Sequence, residues 1–134
     1  MSDRKEYDLQ RFLDAQVPTY ATALQEIRNG GKRNHWIWYI FPQEKGLGYS
    51  YNSRYYGLDG IGEAEAYLAH PVLGKRLREI TAALLGHAGA RSIRQIMGSS
   101  IDVLKLKSCM TLFDEVSPGD VFADVLAAFY GRQQ

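Results

Sequence analysis

The chain has 134 residues but only one cysteine, Cys109, and four prolines, and nowhere does an apolar run reach about 18 residues. A lone thiol excludes an internal disulfide and fits a reducing compartment. Without the long apolar run no helix is expected to span a membrane. The charged opening MSDRKEYDLQ also lacks the apolar stretch of a secretory signal, so the expected location is the cytoplasm. Formal net charge is only +1, which gives no global attraction to nucleic acid or anionic lipid. The histidines, His35, His70 and His87, form no His-x-His or His-Glu-x-x-His pattern, and there is no Cys-x-x-Cys. Zinc therefore has no recognisable ligand set; no metal is expected, and the cofactor, if any, is unknown. No repeat, low-complexity tract or linker divides residues 1–134, so one domain is expected, with residues 1–7 fraying.

What the chain does have is helical punctuation. Asp8 suits the cap of a first helix, LQRFLDAQ, and Pro18 the first turn of a second that ends at Asn29-Gly30-Gly31. Tyr20, Ala23, Leu24 and Ile27 keep helical spacing within that second segment. Residues 63–70 read as helix with Ala64, Tyr67 and Leu68 on one side. Leu73, Leu77, Ile80 and Leu84 form one apolar stripe after Pro71. Ser92 with Gln95, and Ser99 with Asp102, have the spacing of capping boxes. The second of these opens a helix with Val103, Leu106, Met110 and Phe113 inward. Ser117-Pro118-x-Asp120 opens a last helix with Phe122, Val125, Leu126 and Phe129 inward, closed by Gly131. Residues 36–41 are apolar all round and fit either a strand or a buried helical turn. An isolated strand would have no partner, which decides for helix. The expected class is all-α, a single domain of about seven or eight helices arranged as an orthogonal bundle or a short α-α superhelix.

Charge is unevenly spread. Residues 28–54 carry five bases (Arg28, Lys32, Arg33, Lys45, Arg54) against one acid, Glu44, whereas residues 114–124 carry four acids and no base. Within the basic region lies HWIWYIFPQEKGLGYS, residues 35–50. Two indoles so close together are costly in a core, because each buried N–H needs an acceptor. A flat aromatic wall beside cations, a glycine turn and an amide also suits a nucleotide-like ligand.

Four blocks, GKRNHWIWYIFPQ, GLGYS, EAEAYLAHPVLGKRL and DVLKLKSCMTLF, together resemble the family called domain of unknown function 1810. The resemblance implies an all-α domain without an established activity. Its signature positions fall on Lys32, His35, Trp36, Trp38, Phe41, Pro42 and Gln43, then on Gly46, Gly48 and Ser50. They continue through Glu63, Ala64, Tyr67, Leu68, His70, Pro71, Leu73, Gly74, Arg76 and Leu77 to Asp102, Lys105, Leu106, Ser108, Met110, Thr111 and Phe113. Cys109 departs from the serine more usual there, which weakens any scheme with a cysteine nucleophile.

Several of these side chains suit chemistry, each beside a plainer role. His35 next to the indoles could serve as a general base, or cap a helix start. His70 before Pro71 is at a helix end, where capping competes with ligand contact; His87 sits in a loop and reads as inert. Asp102 and Lys105 meet on one helix face, where a desolvated lysine beside an aspartate could be a catalytic proton carrier or an anion site; the plainer role is a helix cap with its ion pair. Glu63 is a candidate acid, though the helix dipole favours an acid in a first turn in any case. Gly46 and Gly48 free the backbone to approach a ligand beside Ser50, but lack the lysine and spacing of a phosphate loop. The leading expectation is a pocket for a phosphorylated, ring-containing small molecule. Trp36 and Trp38 would stack the ring, Gln43 would bond it, and Lys32, Arg33, Arg76 or Lys105 would supply charge. Any chemistry would be that of a hydrolase or transferase, with His35 as base and Glu63 or Asp102 as acid. The alternative is a non-catalytic module that binds RNA or an acidic protein surface through the basic region and Tyr49, Tyr51, Tyr55 and Tyr56. No membrane partner is expected, and oligomeric state is left open.

Overall fold

The computed structural model describes residues 6–131. The expectation of a frayed start falls largely on residues 1–5, which lie outside the described residues. Tyr7 is half-buried, with its hydroxyl so close over Gly62 that a Cβ there would meet it at 2.4 Å.

Among the described residues there are nine α-helices: α1 (Gln10–Gln16), α2 (Tyr20–Arg28), α3 (Ile37–Ile40), α4 (Tyr51–Tyr55), α5 (Gly60–Ala69), α6 (Leu73–Leu85), α7 (Ile93–Met97), α8 (Ser100–Val116) and α9 (Val121–Val125). The last continues as a π-helical turn, Leu126–Tyr130, and ends at Gly131. The described residues form no strand; one parallel bridge joins Glu44 to Leu58. The fold is all-α.

The apolar stripes account for the packing. Leu73, Leu77, Ile80 and Leu84 are all buried along α6, and Leu106, Met110 and Phe113 along α8. Burying each such side chain stabilises by roughly 1.5–3 kcal/mol. Helix α8 is the axis: α5, α7, α9 and the π-helical turn pack on it, while α6 lies against α2, α5 and α9. Rings join these layers, with Tyr67 and Phe122 each 5.6 Å from Phe113 and Phe12 meeting Tyr67 edge-on at 5.0 Å. The Tyr67 hydroxyl accepts a hydrogen bond from the buried Gln16 amide at 3.0 Å.

Several helix starts differ from the sequence expectation. Asp8 does not cap α1; Leu9 takes the cap position without a side-chain bond, and the Asp8 carbonyl instead accepts from the Arg11 guanidinium. Pro18 precedes α2 and is not in its first turn, because the helix begins after Thr19. Asp120 caps α9, accepting from Val121 N–H at 2.6 Å and from the Ser117 hydroxyl at 2.8 Å. The Arg78 guanidinium beside Asp120 holds that carboxyl below its ordinary range. Ser92 and Gln95 form the expected reciprocal capping box. Helix α4 has no counterpart in the expectation, since it buries no residue and therefore carries no apolar stripe.

The α5–α6 corner turns on two signature residues. His70 Nδ1 accepts from the N–H groups of Val72 at 3.1 Å and Leu73 at 3.3 Å, so its ring serves the start of α6. Gly74 lies against the preceding helix: a Cβ there would stand 2.0 Å from the Leu68 carbonyl oxygen. Because that neighbour is backbone, Gly74→Ala is expected to force the two helices apart and destabilise by about 3 kcal/mol. Urea unfolding checks this; an unchanged midpoint would mean that the corner opens freely.

Candidate functional site

The site is built on the chain between α2 and α3. Gly30, at φ +86°, turns the chain back after α2. The Lys32 N–H then donates to the Ile96 carbonyl at 2.7 Å, which pins the segment to α7. The other anchor is Glu26, a buried carboxylate. Its Oε1 accepts from Arg33 N–H at 2.8 Å, Asn34 N–H at 3.1 Å and Trp36 Nε1 at 2.9 Å, and its Oε2 from the Asn34 amide. Burial pushes the Glu26 carboxyl up, but these donors outweigh it and hold the group below its ordinary value.

Trp36 is consequently core, 1% exposed, with Phe41 tilted against it; it is not the stacking surface expected of it. Trp38 does reach a cavity. It stands half-buried between two adjoining concavities, with the Lys105 ammonium 4.7 Å over its ring. The first, about 280 Å³, is lined by Lys32, Arg33, His35, Asp102 and Lys105 and by the α7–α8 turn through Gly98. The second, about 440 Å³, is lined by Gln43, Gly48, Tyr49, Ser50, Leu104 and Ser108. Trp38, Ile101 and Lys105 belong to both, and joined they fall in the usual size range of ligand sites.

The charges of the first compartment are ordered by Asp102. Its Oδ2 lies 2.8 Å from Lys32 Nζ and its Oδ1 3.9 Å from Lys105 Nζ. The Ser99 hydroxyl accepts from Asp102 N–H at 3.1 Å, but the carboxylate does not return the bond as a capping box requires. It faces the two lysines instead. Lys32 and Asp102 are largely withdrawn from solvent, their side chains 5% and 14% exposed. Lys32, Arg33 and Lys105 against one carboxylate leave net positive charge, and the N-terminus of α8 adds to it. His35 is exposed on the rim without a hydrogen-bond or ion-pair partner among the described residues. The Trp38 N–H has no acceptor among them either, although it is buried. Leaving a buried donor so costs about 1–3 kcal/mol.

The remaining candidates lie elsewhere or have other duties. Glu63 is not on the groove: its carboxylate takes Arg11 at 2.8 Å and the Asp59 N–H at 2.8 Å, so the structure does not bring it to His35. Arg76 lies over the Tyr20 ring at 5.2 Å and reaches Gln16, also outside the groove. His70 serves α6 as described, and the His87 ring bonds the Ile27 carbonyl at 2.7 Å. Gly46, at φ +98°, shapes the turn without lining either compartment. Ser50 lines the second compartment and caps α4 by accepting from Ser53 N–H at 3.1 Å. Cys109 is fully buried, and burial pushes its thiol well above the ordinary range, which disfavours the reactive thiolate.

Sequence reasoning missed Glu26, Ile101 and Leu104. The clue to Glu26 was an acid on the buried edge of α2, a glycine turn away from an indole that needed an acceptor. Ile101 and Leu104 are apolar yet 64% and 65% exposed on α8, a feature that helical spacing alone does not reveal.

These features define a small helical domain with an aromatic groove that is cationic at one end. A family model described as "Protein of unknown function (DUF1810)" matches residues 6–134, and the chain belongs to that family. The crystal structure of the conserved hypothetical protein Rv1873 from Mycobacterium tuberculosis has a similar fold, with TM-score 0.88 and 44% identity over 93% of this chain and 89% of that one. Neither description names an activity. No curated protein matches the chain. No helix among the described residues is long and apolar enough to cross a membrane, and no group of three or more metal-ligating side chains occurs among them.

Proposed function

We propose that the chain binds a phosphorylated small molecule in the groove around Trp38, with the phosphate in the first compartment. The observation that carries this reading is the Lys32–Asp102–Lys105 cluster at the indole. Two ammonium groups are held in place by one carboxylate, and the surplus charge faces a cavity beside the start of a helix. A partly dehydrated cation fixed in this way binds an anion more strongly than a mobile surface lysine does. Asp102 positions both lysines and Glu63 is elsewhere, which leaves His35 without an acid partner. The reading is therefore of binding, not turnover.

A thermal-shift series with inorganic phosphate, pyrophosphate, sugar phosphates and nucleotides tests it. A ligand at 100 times its dissociation constant stabilises by about 2.7 kcal/mol, roughly 10 °C for a chain of this length. The shift is expected to vanish in Lys105→Ala and to shrink in Trp38→Ala. A blank across the series would overturn the proposal.

One observation favours a second reading, as an RNA-binding surface. Tyr51 and Tyr55 are exposed and stacked at 5.5 Å, and Tyr49 beside them is 93% exposed, with Lys45 and Arg54 nearby. Tyr56 meets Tyr55 edge-on at 4.8 Å but is half-buried, packing inward against Phe12 and Tyr39. Binding by phosphate contacts would weaken steeply with salt in a gel-shift titration, whereas ligand binding in the groove would weaken far less.

A further inference from the structure

We infer that the second compartment reads the edge of a nucleobase, with Gln43 as the specificity-determining residue. The inference rests on the phosphate reading and specifies what the phosphate carries.

Two uncommitted polar side chains, Gln43 and Ser108, line this compartment beside the Trp38 ring. Trp38 gives it an aromatic wall, but the indole N–H is itself withdrawn from the open space of the cavity and has no acceptor among the described residues. The Gln43 side-chain amide likewise has no partner there, although its backbone is fixed: the Gln43 carbonyl accepts from Leu58 N–H at 2.9 Å, and the next residue, Glu44, forms the bridge to Leu58. Ser108 presents a hydroxyl with no partner among the described residues, whereas Thr111, one turn on, donates to the Lys107 carbonyl at 2.8 Å. The backbone at Gln43 is tied down by these bonds, while its amide stays free to meet a ligand.

The chemistry of these side chains selects the ligand. An amide offers a donor and an acceptor side by side, and a hydroxyl can serve as either. Coplanar ring acceptors with an adjacent donor, the edge of a nucleobase, satisfy this set, and glutamine pairs with such edges in bidentate fashion. A sugar phosphate offers hydroxyls without a planar edge. The flanking walls fit a ring as well: Leu47, Tyr49, Ile101 and Leu104 are 58%, 93%, 64% and 65% exposed, apolar surface that a flat heterocycle would cover. Because the two compartments share Trp38, Ile101 and Lys105, a nucleoside monophosphate would span both.

Calorimetric titration with inorganic phosphate, ribose 5-phosphate, AMP, GMP, CMP and UMP tests this on the full chain, its Gln43→Met variant and its Ser108→Ala variant. At least one nucleotide should bind more than about tenfold tighter than ribose 5-phosphate. That nucleotide should lose about tenfold in Gln43→Met, equivalent to about 1.4 kcal/mol, while ribose 5-phosphate is unchanged. Should Gln43→Met fail to fold, a smaller loss confined to nucleotides in Ser108→Ala supports base reading in its place, since alanine suits the helix. If ribose 5-phosphate binds as well as every nucleotide, or the variants leave nucleotide affinity intact, base reading is overturned and phosphate binding stands. If no compound binds, inorganic phosphate included, both fall.

Discussion

Replacing Glu26 by alanine is expected to lower the melting temperature by about 15 °C. The carboxylate accepts the Trp36 indole N–H, and it also takes the backbone N–H groups of Arg33 and Asn34. Removing it leaves the indole donor stranded in a core where Trp36 is 1% exposed, while the two backbone donors need water to replace the lost bonds. An unsatisfied buried donor costs about 1–3 kcal/mol, and with the weaker losses at the turn the total is about 4 kcal/mol. At roughly 4 °C per kcal/mol for a chain of this size, that gives the stated shift. Glu26→Gln, which keeps one acceptor oxygen, should lose about half as much. The acid limb gives an independent check. The folded chain holds the Glu26 carboxyl below its ordinary 4.5, so the unfolded chain takes up the proton first. This stabilisation is complete above about pH 5 and is lost as pH falls through the folded-state value. Between about pH 5 and 3 the parent should therefore lose stability more steeply than Glu26→Ala. Parallel acid limbs would show that Glu26 is not the group that matters there.

Asp102→Ala should move stability and ligand affinity in opposite directions. Lys32, with its side chain 5% exposed, would be left in a nearly dry site without its partner at 2.8 Å. Breaking a buried pair from one side costs about 3–5 kcal/mol. The compartment meanwhile gains one unit of net positive charge. At roughly 7 Å and an effective dielectric constant near 40 that is worth about 1 kcal/mol to a bound anion, or close to tenfold in affinity. Chemical unfolding and calorimetry on the same variant separate the two effects. A variant that is less stable and also binds phosphate more weakly would show that holding the lysines in place is worth more to the anion than the charge Asp102 cancels. Because both lysines use this one carboxylate, their charge cannot be tuned without disturbing the fold.

Much of this was legible because helical periodicity needs no knowledge of partners. The stripe from Leu73 to Leu84 and the inward set of α8 follow from spacing alone, and Leu73, Leu77, Ile80, Leu84, Leu106, Met110 and Phe113 are buried as spacing requires. The Ser92 capping box is equally local, a bond between residues three apart. What sequence could not supply was convergence. Glu63 and Asp102 look alike as first-turn acids, yet one pairs with Arg11 and the other with Lys32, each choice made by a segment far away in the chain. Trp36 and Trp38 are two residues apart and point to different surroundings. The residue that separates them, Glu26, acts across a turn for which no periodic pattern exists. Helix α4 was illegible for the opposite reason: nothing in it is buried, so no pattern was imposed on it.

The solitary thiol turns these predictions into something countable. Cys109 lies on the axial helix at 0% exposure, and its burial disfavours the thiolate that alkylating reagents attack. A reagent in native buffer can therefore reach it only when the packing around α8 opens. Its labelling rate is a clock on that opening, set by how often the core parts rather than by reagent strength once reaction outpaces closing. A ligand that tightens the groove, or a substitution that loosens the Glu26 turn, should slow or quicken that clock without any probe being added to the chain.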